Sequence, residues 1–341
     1  MTLPAITVII PCYRAAATLR RAVNSALRDA PENLELLLVD DGSPDGTGAL
    51  CDALAGEDPR VRALHRKNGG AGAARNTGLA AATGDWVLFL DADDELLPGL
   101  WAALGPALDA RPGMILFGMT RASGPAPCPL APGLYDRVAD LGPALEPLLF
   151  ESGYLAAPYP KLFRADLIRQ AGLRFDEGLQ INEDVLFNLD FLHFLQNPPA
   201  ISCLAGVYYR QNDMLAGSLS RRLRGDLLDA ECVTRPALQR MLEGAGVAAP
   251  EVERLLRKSR VRAALNQYGL LTGCKGAMPY GKRKALFARI LADPDARATL
   301  LTRLAADPNR LLALPYRLGA ALRRPGLLAG YTQLKNHFLP N

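Results

Sequence analysis

Trp86-Val87-Leu88-Phe89-Leu90-Asp91-Ala92-Asp93-Asp94 is an apolar run that stops abruptly in acid. A run this short, with Gly84-Asp85 on one side and carboxylates on the other, predicts a buried strand whose polar end lies at a sheet edge. The pattern recurs upstream. Leu34 to Val39 runs into Asp40-Asp41-Gly42-Ser43, and the β-branched stretch Ile6-Thr7-Val8-Ile9-Ile10 is closed by Pro11-Cys12-Tyr13. Helix signals lie between these stretches. Leu19, Val23 and Leu27 recur at four-residue steps within 15–27, a second helix is expected near 47–54, and Asn68-Gly69-Gly70 opens a third over 71–82. Val61 to His65 supplies one more strand.

Strands separated by helices of this length pair in parallel and build an α/β fold. Such sheets bind ligands at the carboxyl ends of their strands. Tyr13, Asp41, Asp91 and Asp93 all fall there, so a single site is expected at that edge. Downstream the pattern is mixed. A strand is predicted at 114–119, a Pro-rich loop at 124–133, helices at 161–170 and 183–196, and a strand at 206–210. From about 219 the chain reads as helical to its end, broken at Pro236, Pro250, Pro279 and Pro308. The expected division is an α/β domain over 1–220 and a helical region over 221–341.

The bulk properties exclude several classes. A net charge of +4 on 341 residues does not point to a nucleic-acid partner. The cysteines lie far apart, with no C-x-x-C pair and no His at zinc-ligand spacing. Neither a disulfide framework nor structural zinc is expected, and a reducing cytoplasm fits best. The amino terminus lacks the basic region of a signal peptide, and every apolar stretch is interrupted well short of a membrane span, so a soluble or peripheral protein is expected.

Four clusters carry chemistry. Asp91-Ala92-Asp93 sets two carboxylates around one small residue, an arrangement that suits Mg²⁺ or Mn²⁺ holding a phosphate. Read alone, it is equally a solvated turn in which Asp93 or Asp94 caps a following helix. Asp41 at a strand end suits a base N–H or ribose hydroxyl, or else an Asx turn. Gly69, Gly70 and Gly72 permit close backbone approach, with Arg75 in the following helix within reach of a diphosphate; no G-K-[ST] follows, so this is not a P-loop. Glu183-Asp184 opens an apolar helix, where acids serve as dipole partners or, near an acceptor hydroxyl, as a general base. His193, among Phe191, Leu192 and Phe194, reads as a packed histidine rather than a ligand.

Taken in order, the clusters resemble family 2 glycosyltransferases of the GT-A fold. Val8 to Tyr13 resembles the family's opening strand, and Val39 to Thr47 its "VDDGSxDGT" segment. Asn68-Gly69-Gly70 with Ala74-Arg75-Asn76-Thr77-Gly78 is similar to "NxGxxxARNxG", Phe89 to Asp94 to "FLDxDD", and Glu183 to Phe187 to "EDxxF". The likeness spans about residues 5–220. It implies a Rossmann-like, mainly parallel sheet, with 1–115 binding the nucleotide sugar and 116–220 the acceptor. It also implies an inverting transfer from a nucleotide-diphosphate sugar, most commonly a UDP-sugar. Pro11, Tyr13 and Asp41 would hold the nucleoside. Gly70, Arg75, Asp91 and Ala92 would lie at the diphosphate and ribose, and Asp93, with Asp91, at a divalent cation. Asp184 would be the base, with Glu183 the runner-up. Lys161-Leu162-Phe163 and Tyr208 to Gln211 with Ser218-Leu219-Ser220 resemble the capsular and exopolysaccharide branch, which implies a glycan or lipid-linked acceptor. Tyr159-Pro160 departs from the "WN" that usually precedes that lysine. Arg210 and 218–220 are a candidate lid.

Two rivals are a phosphatase of the haloacid-dehalogenase type, whose acids normally follow the first strand, and a non-catalytic nucleotide-sugar-binding subunit. The last stretch sets Arg310, Arg317, Arg323, Arg324 and Lys335 among leucines. It reads as a helical bundle, or as a basic amphipathic segment lying on the inner membrane.

Overall fold

The computed structural model describes residues 3–121, 123–179, 181–195, 199–212, 226–273, 278–308 and 310–338. The chain divides into two compact units, one of 1–217 with 237–248 and one of 218–236 with 249–341.

The first unit is built on one sheet. Strand β1 (Ile6–Cys12) pairs in parallel with β2 (Leu34–Asp40) on one side and β4 (Trp86–Phe89) on the other, and β2 pairs in parallel with β3 (Val61–His65). A strand with parallel neighbours on both sides needs apolar residues on both faces, and Ile6, Val8, Ile9 and Ile10 are all fully buried. Helices α1 (Leu19–Leu27), α2 (Thr47–Glu57) and α3 (Ala71–Ala81) make the crossovers. Helix α3 lies close on β1 because Gly78 faces Ile9; a Cβ there would stand 2.4 Å from Ile9 Cγ2.

After β4 come the two-residue strand β5 (Glu95–Leu96), helix α4 (Leu100–Asp109) and strand β6 (Met114–Arg121). The stretch expected as a Pro-rich loop over 124–133 begins as the short strand β7 (Gly124–Ala126) and ends where β8 (Gly133–Tyr135) starts; they pair antiparallel with β6 and with β10 (Ile201–Arg210) respectively. A 3-10 turn (Val138–Ala144) and helix α5 (Leu145–Phe150) follow. The helix expected over 161–170 is instead strand β9 (Lys161–Arg164) running into helix α6 (Ala165–Gln170). Strand β9 is held antiparallel between β4 and β6, and this pairing overrides the local propensity of its Lys-Leu-Phe-Arg sequence. The path across the sheet is β3-β2-β1-β4-β9-β6-β10-β5. Helix α7 (Glu183–His193) packs Phe187 and Phe191 against Phe163. Two register shifts in β10, near Gly206 (φ 132°), bring Tyr209 fully inside.

The second unit is helical. Helix α8 (Leu227–Gly244) gives it residues up to Pro236, which lies inside the helix rather than ending one. Helices α9 (Ala249–Gly273), α10 (Tyr280–Ala292), α11 (Pro294–Ala305), α12 (Arg310–Ala321) and α13 (Pro325–Phe338) surround a core that includes Phe287, Ile290, Leu300, Tyr316 and Leu328. Among the described residues no helix is long and apolar enough to cross a membrane.

Candidate active site

The polar ends of β1, β2 and β4 share one sheet edge, and the predicted site residues collect there in three linked groups. The first surrounds Asp41. Its backbone N–H donates to the Cys12 carbonyl (2.9 Å), which ties the end of β2 to that of β1. Its carboxylate accepts from the backbone N–H groups of Gly69 (3.0 Å) and Gly70 (2.7 Å) and pairs with the Arg66 guanidinium. Gly70 has a φ of 93°, which a side chain resists, and it directs its amide back at the carboxylate while opening α3. Tyr13, two residues past Pro11, stays 40% exposed with the Arg14 guanidinium over its ring at 5.4 Å. The Arg14 backbone N–H donates to Ser43 Oγ (3.2 Å), which ties the segment after β1 to the one after β2.

The second group is joined by Arg75, on the same helix as Gly70 and only 4% exposed. Its Nη1 donates to Asp184 Oδ1 (2.8 Å) and its Nη2 to Asp91 Oδ1 (3.1 Å), and Glu183 Oε1 stands 3.8 Å from Nη1. The guanidinium also lies over Phe175 at 5.4 Å. Burial opposes its charge, but Asp184, Asp91 and Glu183 more than offset this and hold the arginine protonated. Burial pushes the Asp184 carboxyl up to about 7, against the pull of Arg75. A carboxyl poised near neutrality beside a fixed cation is suited to accepting a proton. On the other side Lys161 is fully buried, its ammonium donating to the carbonyls of Tyr154 and Ala157. Burial brings its pKa down to about 7, against the attraction of Asp184.

The third group is the turn after β4. Carboxylate oxygens of Asp91, Asp93 and Asp94 lie within 4.8 Å of one another. Burial, then the charge of Asp91, raises the carboxyl of Asp93, and the same two causes push that of Asp94 up to about 8. Crowded carboxylates of this kind fit a hard divalent cation such as Mn²⁺ or Mg²⁺, which would relieve their repulsion. Ala92, between them, is buried. No helix begins here, so neither Asp93 nor Asp94 acts as a cap. Asp94 instead accepts from Tyr209 Oη (2.6 Å) and the Asn212 backbone N–H (2.9 Å). The carbonyl of Asp93 accepts from Arg21 (2.8 Å) and from the Asn212 side chain (2.8 Å), which also reaches Glu95 (3.1 Å). The turn is thereby clamped from α1 and from the end of β10.

Arg66, Asp94, Tyr209 and Asn212 were not read as site residues from the sequence. Asp94 had a signal, since it belongs to the same acidic run. Arg66 and Asn212 had none, because their partners are distant in sequence. Arg210 lies 3.8 Å from Glu95, while the lid residues expected at 218–220 fall outside the described residues. His193 is half-buried, its ring edge-on to Phe194 at 5.6 Å.

A sequence profile of the family described as "Glycosyl transferase family 2" matches residues 7–126. The succinoglycan biosynthesis protein ExoO of Rhizobium meliloti is 32% identical over 265 residues, covering 75% of this chain and 74% of that protein. The uncharacterized glycosyltransferase EpsJ of Bacillus subtilis is 29% identical over 215 residues, and the match spans 62% of each chain. Among solved structures, S. aureus TarS 1-349 in complex with UDP-GlcNAc superposes with a TM-score of 0.62 at 21% identity, covering 98% of this chain and 92% of that one. This likeness fixes the fold as GT-A, an α/β sheet domain accompanied by a helical C-terminal region. The chain belongs to glycosyltransferase family 2.

Proposed function

We propose that this protein is an inverting, metal-dependent glycosyltransferase that moves a sugar from a nucleotide-diphosphate donor to a hydroxyl of a glycan or lipid-linked acceptor. The work suited to it is bacterial surface-polysaccharide synthesis on the cytoplasmic side of the membrane. The observation that carries the reading is Arg75, which joins a metal-type acid (Asp91) to a base-type acid (Asp184) through one buried guanidinium. The names of ExoO and TarS support a polysaccharide role and a UDP-sugar donor. A haloacid-dehalogenase-type phosphatase is disfavoured because Asp91 follows the fourth strand in the chain rather than the first. A non-catalytic binding subunit is disfavoured because both acid clusters are present and are joined through the Arg75 guanidinium.

Each residue then has a task. Tyr13 stacks on the base with Pro11 beneath it. Asp41, holding the Gly70 amide, sets the edge on which base and ribose rest. Asp91 and Asp93, with Asp94 beside them, hold the divalent cation. When bound, that cation supplies charge neutralisation at the departing diphosphate. Arg75 adds a fixed positive charge to the same end and favours the ionised form of Asp184 against the effect of burial. Asp184 takes the proton of the acceptor hydroxyl as its oxygen attacks the anomeric carbon. Attack opposite the leaving diphosphate inverts that carbon.

Thermal shift tests the donor half directly. UDP, GDP and dTDP are added to full-length protein with and without Mn²⁺ or Mg²⁺, for wild type and Asp93→Asn. A ligand that binds only the folded state raises the melting temperature. UDP with metal should stabilise the wild type and leave the variant unmoved. Equal stabilisation of both proteins would remove the metal from the reading.

A further inference from the structure

Helices α12 and α13 each bury one face and leave another apolar face open. On α12 the buried side is Ala313, Tyr316 and Ala320; on α13 it is Leu328, Ala329 and Thr332. Leu314, Leu318 and Leu322 follow at four-residue steps along and just past α12, so they form a continuous outer stripe. Leu327 and Leu334, seven residues apart, do the same on α13. All five are 46–62% exposed. Single exposed leucines need no explanation, but a repeating row of them does.

The charge around this row is one-sided. Beyond Asp307 the chain carries Arg310, Arg317, Arg323, Arg324 and Lys335, and none of its 35 acidic residues. The remainder of the chain is therefore close to neutral, and the +4 net charge comes from this segment. Pro315 and Pro325 do not break the stripe: Pro315 lies inside α12 and Pro325 opens α13.

We propose that the outer faces of α12 and α13 form a docking surface for an anionic lipid bilayer, with the leucines entering the interfacial layer and the basic side chains meeting the headgroups. This goes beyond the catalytic reading and does not depend on it. A surface of exposed leucines on a segment that carries basic and no acidic residues matches an anionic interface in both respects. A second copy of the chain is the poorer occupant, because a twofold contact would set this basic segment against itself.

The test is cosedimentation of the full-length protein with vesicles of phosphatidylethanolamine and phosphatidylglycerol, and with vesicles of phosphatidylcholine alone. Wild type should pellet with the anionic vesicles and stay in solution with the zwitterionic ones. Raising the salt should weaken binding, since charge is screened over about 10 Å at 0.1 M and less at higher salt. Leu318→Gln with Leu322→Gln should lower the partition coefficient by about tenfold or more, both leucines having left the interfacial layer. These side chains are exposed, so circular dichroism and the UDP-dependent melting shift should match wild type and separate this outcome from failure of the donor site. Equal partition of wild type and variant, binding to both vesicle types alike, or no binding to either overturns the proposal. So does a concentration-dependent dimer abolished by the same substitutions.

Discussion

Replacing Asp184 with Asn removes one charge and almost no volume. The new side-chain oxygen still accepts from Arg75 Nη1 where the carboxylate stands at 2.8 Å. Arg75 is not orphaned either, because Asp91 at 3.1 Å and Glu183 at 3.8 Å remain. Burial already pushes the Asp184 carboxyl toward its neutral form, so the ion pair lost is itself weakened. Unfolding free energy should therefore change by no more than about 1 kcal/mol, the size of one ordinary hydrogen bond. Transfer should fall much further, by about 10²- to 10⁴-fold, the usual worth of a positioned general base. Donor affinity should be unchanged, since the carboxylate acts on the acceptor. Isothermal titration with UDP and Mn²⁺ measures the affinity, and UDP release under saturating donor and acceptor measures turnover. A variant with normal turnover would refute the assignment and pass the role to Glu183. A variant with lost donor binding would show that Asp184 serves the donor side.

Tyr209→Phe deletes the hydroxyl that donates to Asp94 and accepts from the Asp91 backbone N–H, so it should destabilise the protein by about 1–3 kcal/mol. It should also weaken Mn²⁺ binding by about 10-fold or more, as loss of an outer-shell partner commonly does; free Mn²⁺ counted by electron paramagnetic resonance would show it. Gly78→Ala pushes a methyl to 2.4 Å from Ile9 and should cost about 1–3 kcal/mol by overpacking, read as a lower urea midpoint; an unchanged midpoint would mean that α3 can lift from β1. The turnover number of the wild type should rise with pH through about 7, because only ionised Asp184 accepts a proton. Stability should move the opposite way. From its ordinary value of 3.8 up to about 7 the folded chain keeps a proton on Asp184 that the unfolded chain has lost, so this group's contribution falls as pH rises through that window. Denaturation midpoints at pH 5 and 8 should differ less in Asp184→Asn than in wild type.

What the sequence made legible is the part of the fold set by local pattern. β1, β2, β3 and β4 read directly, because each is a short apolar run with a polar end, and the order of polar ends located one edge of the sheet. Less was legible where distant segments decide. Lys161 to Arg164 reads as the start of a helix until β4 and β6 are known to flank it. Gly124 to Gly133 reads as loop because strand β7 within it is only three residues, Gly-Pro-Ala, and β8 starts at its last residue. Tyr209 and Asn212 gave no sign that they grip the Asp91–Asp94 turn, since their partners lie well over a hundred residues upstream. The acidic motif announces itself by composition, whereas the residues that aim it are ordinary side chains in unremarkable contexts.

Strand β9 has a last consequence. It runs against β4 and β6, so the segment entering it, rather than one leaving it, opens onto the functional edge, and Lys161 arrives there at the head of the strand. That edge is thus lined by exits from β1, β2 and β4 and, next to them, by the entrance to β9. A relative can lengthen or shorten the approach through Tyr154 and Tyr159 without moving any donor-side exit, so the two halves of the reaction can diverge by separate insertions.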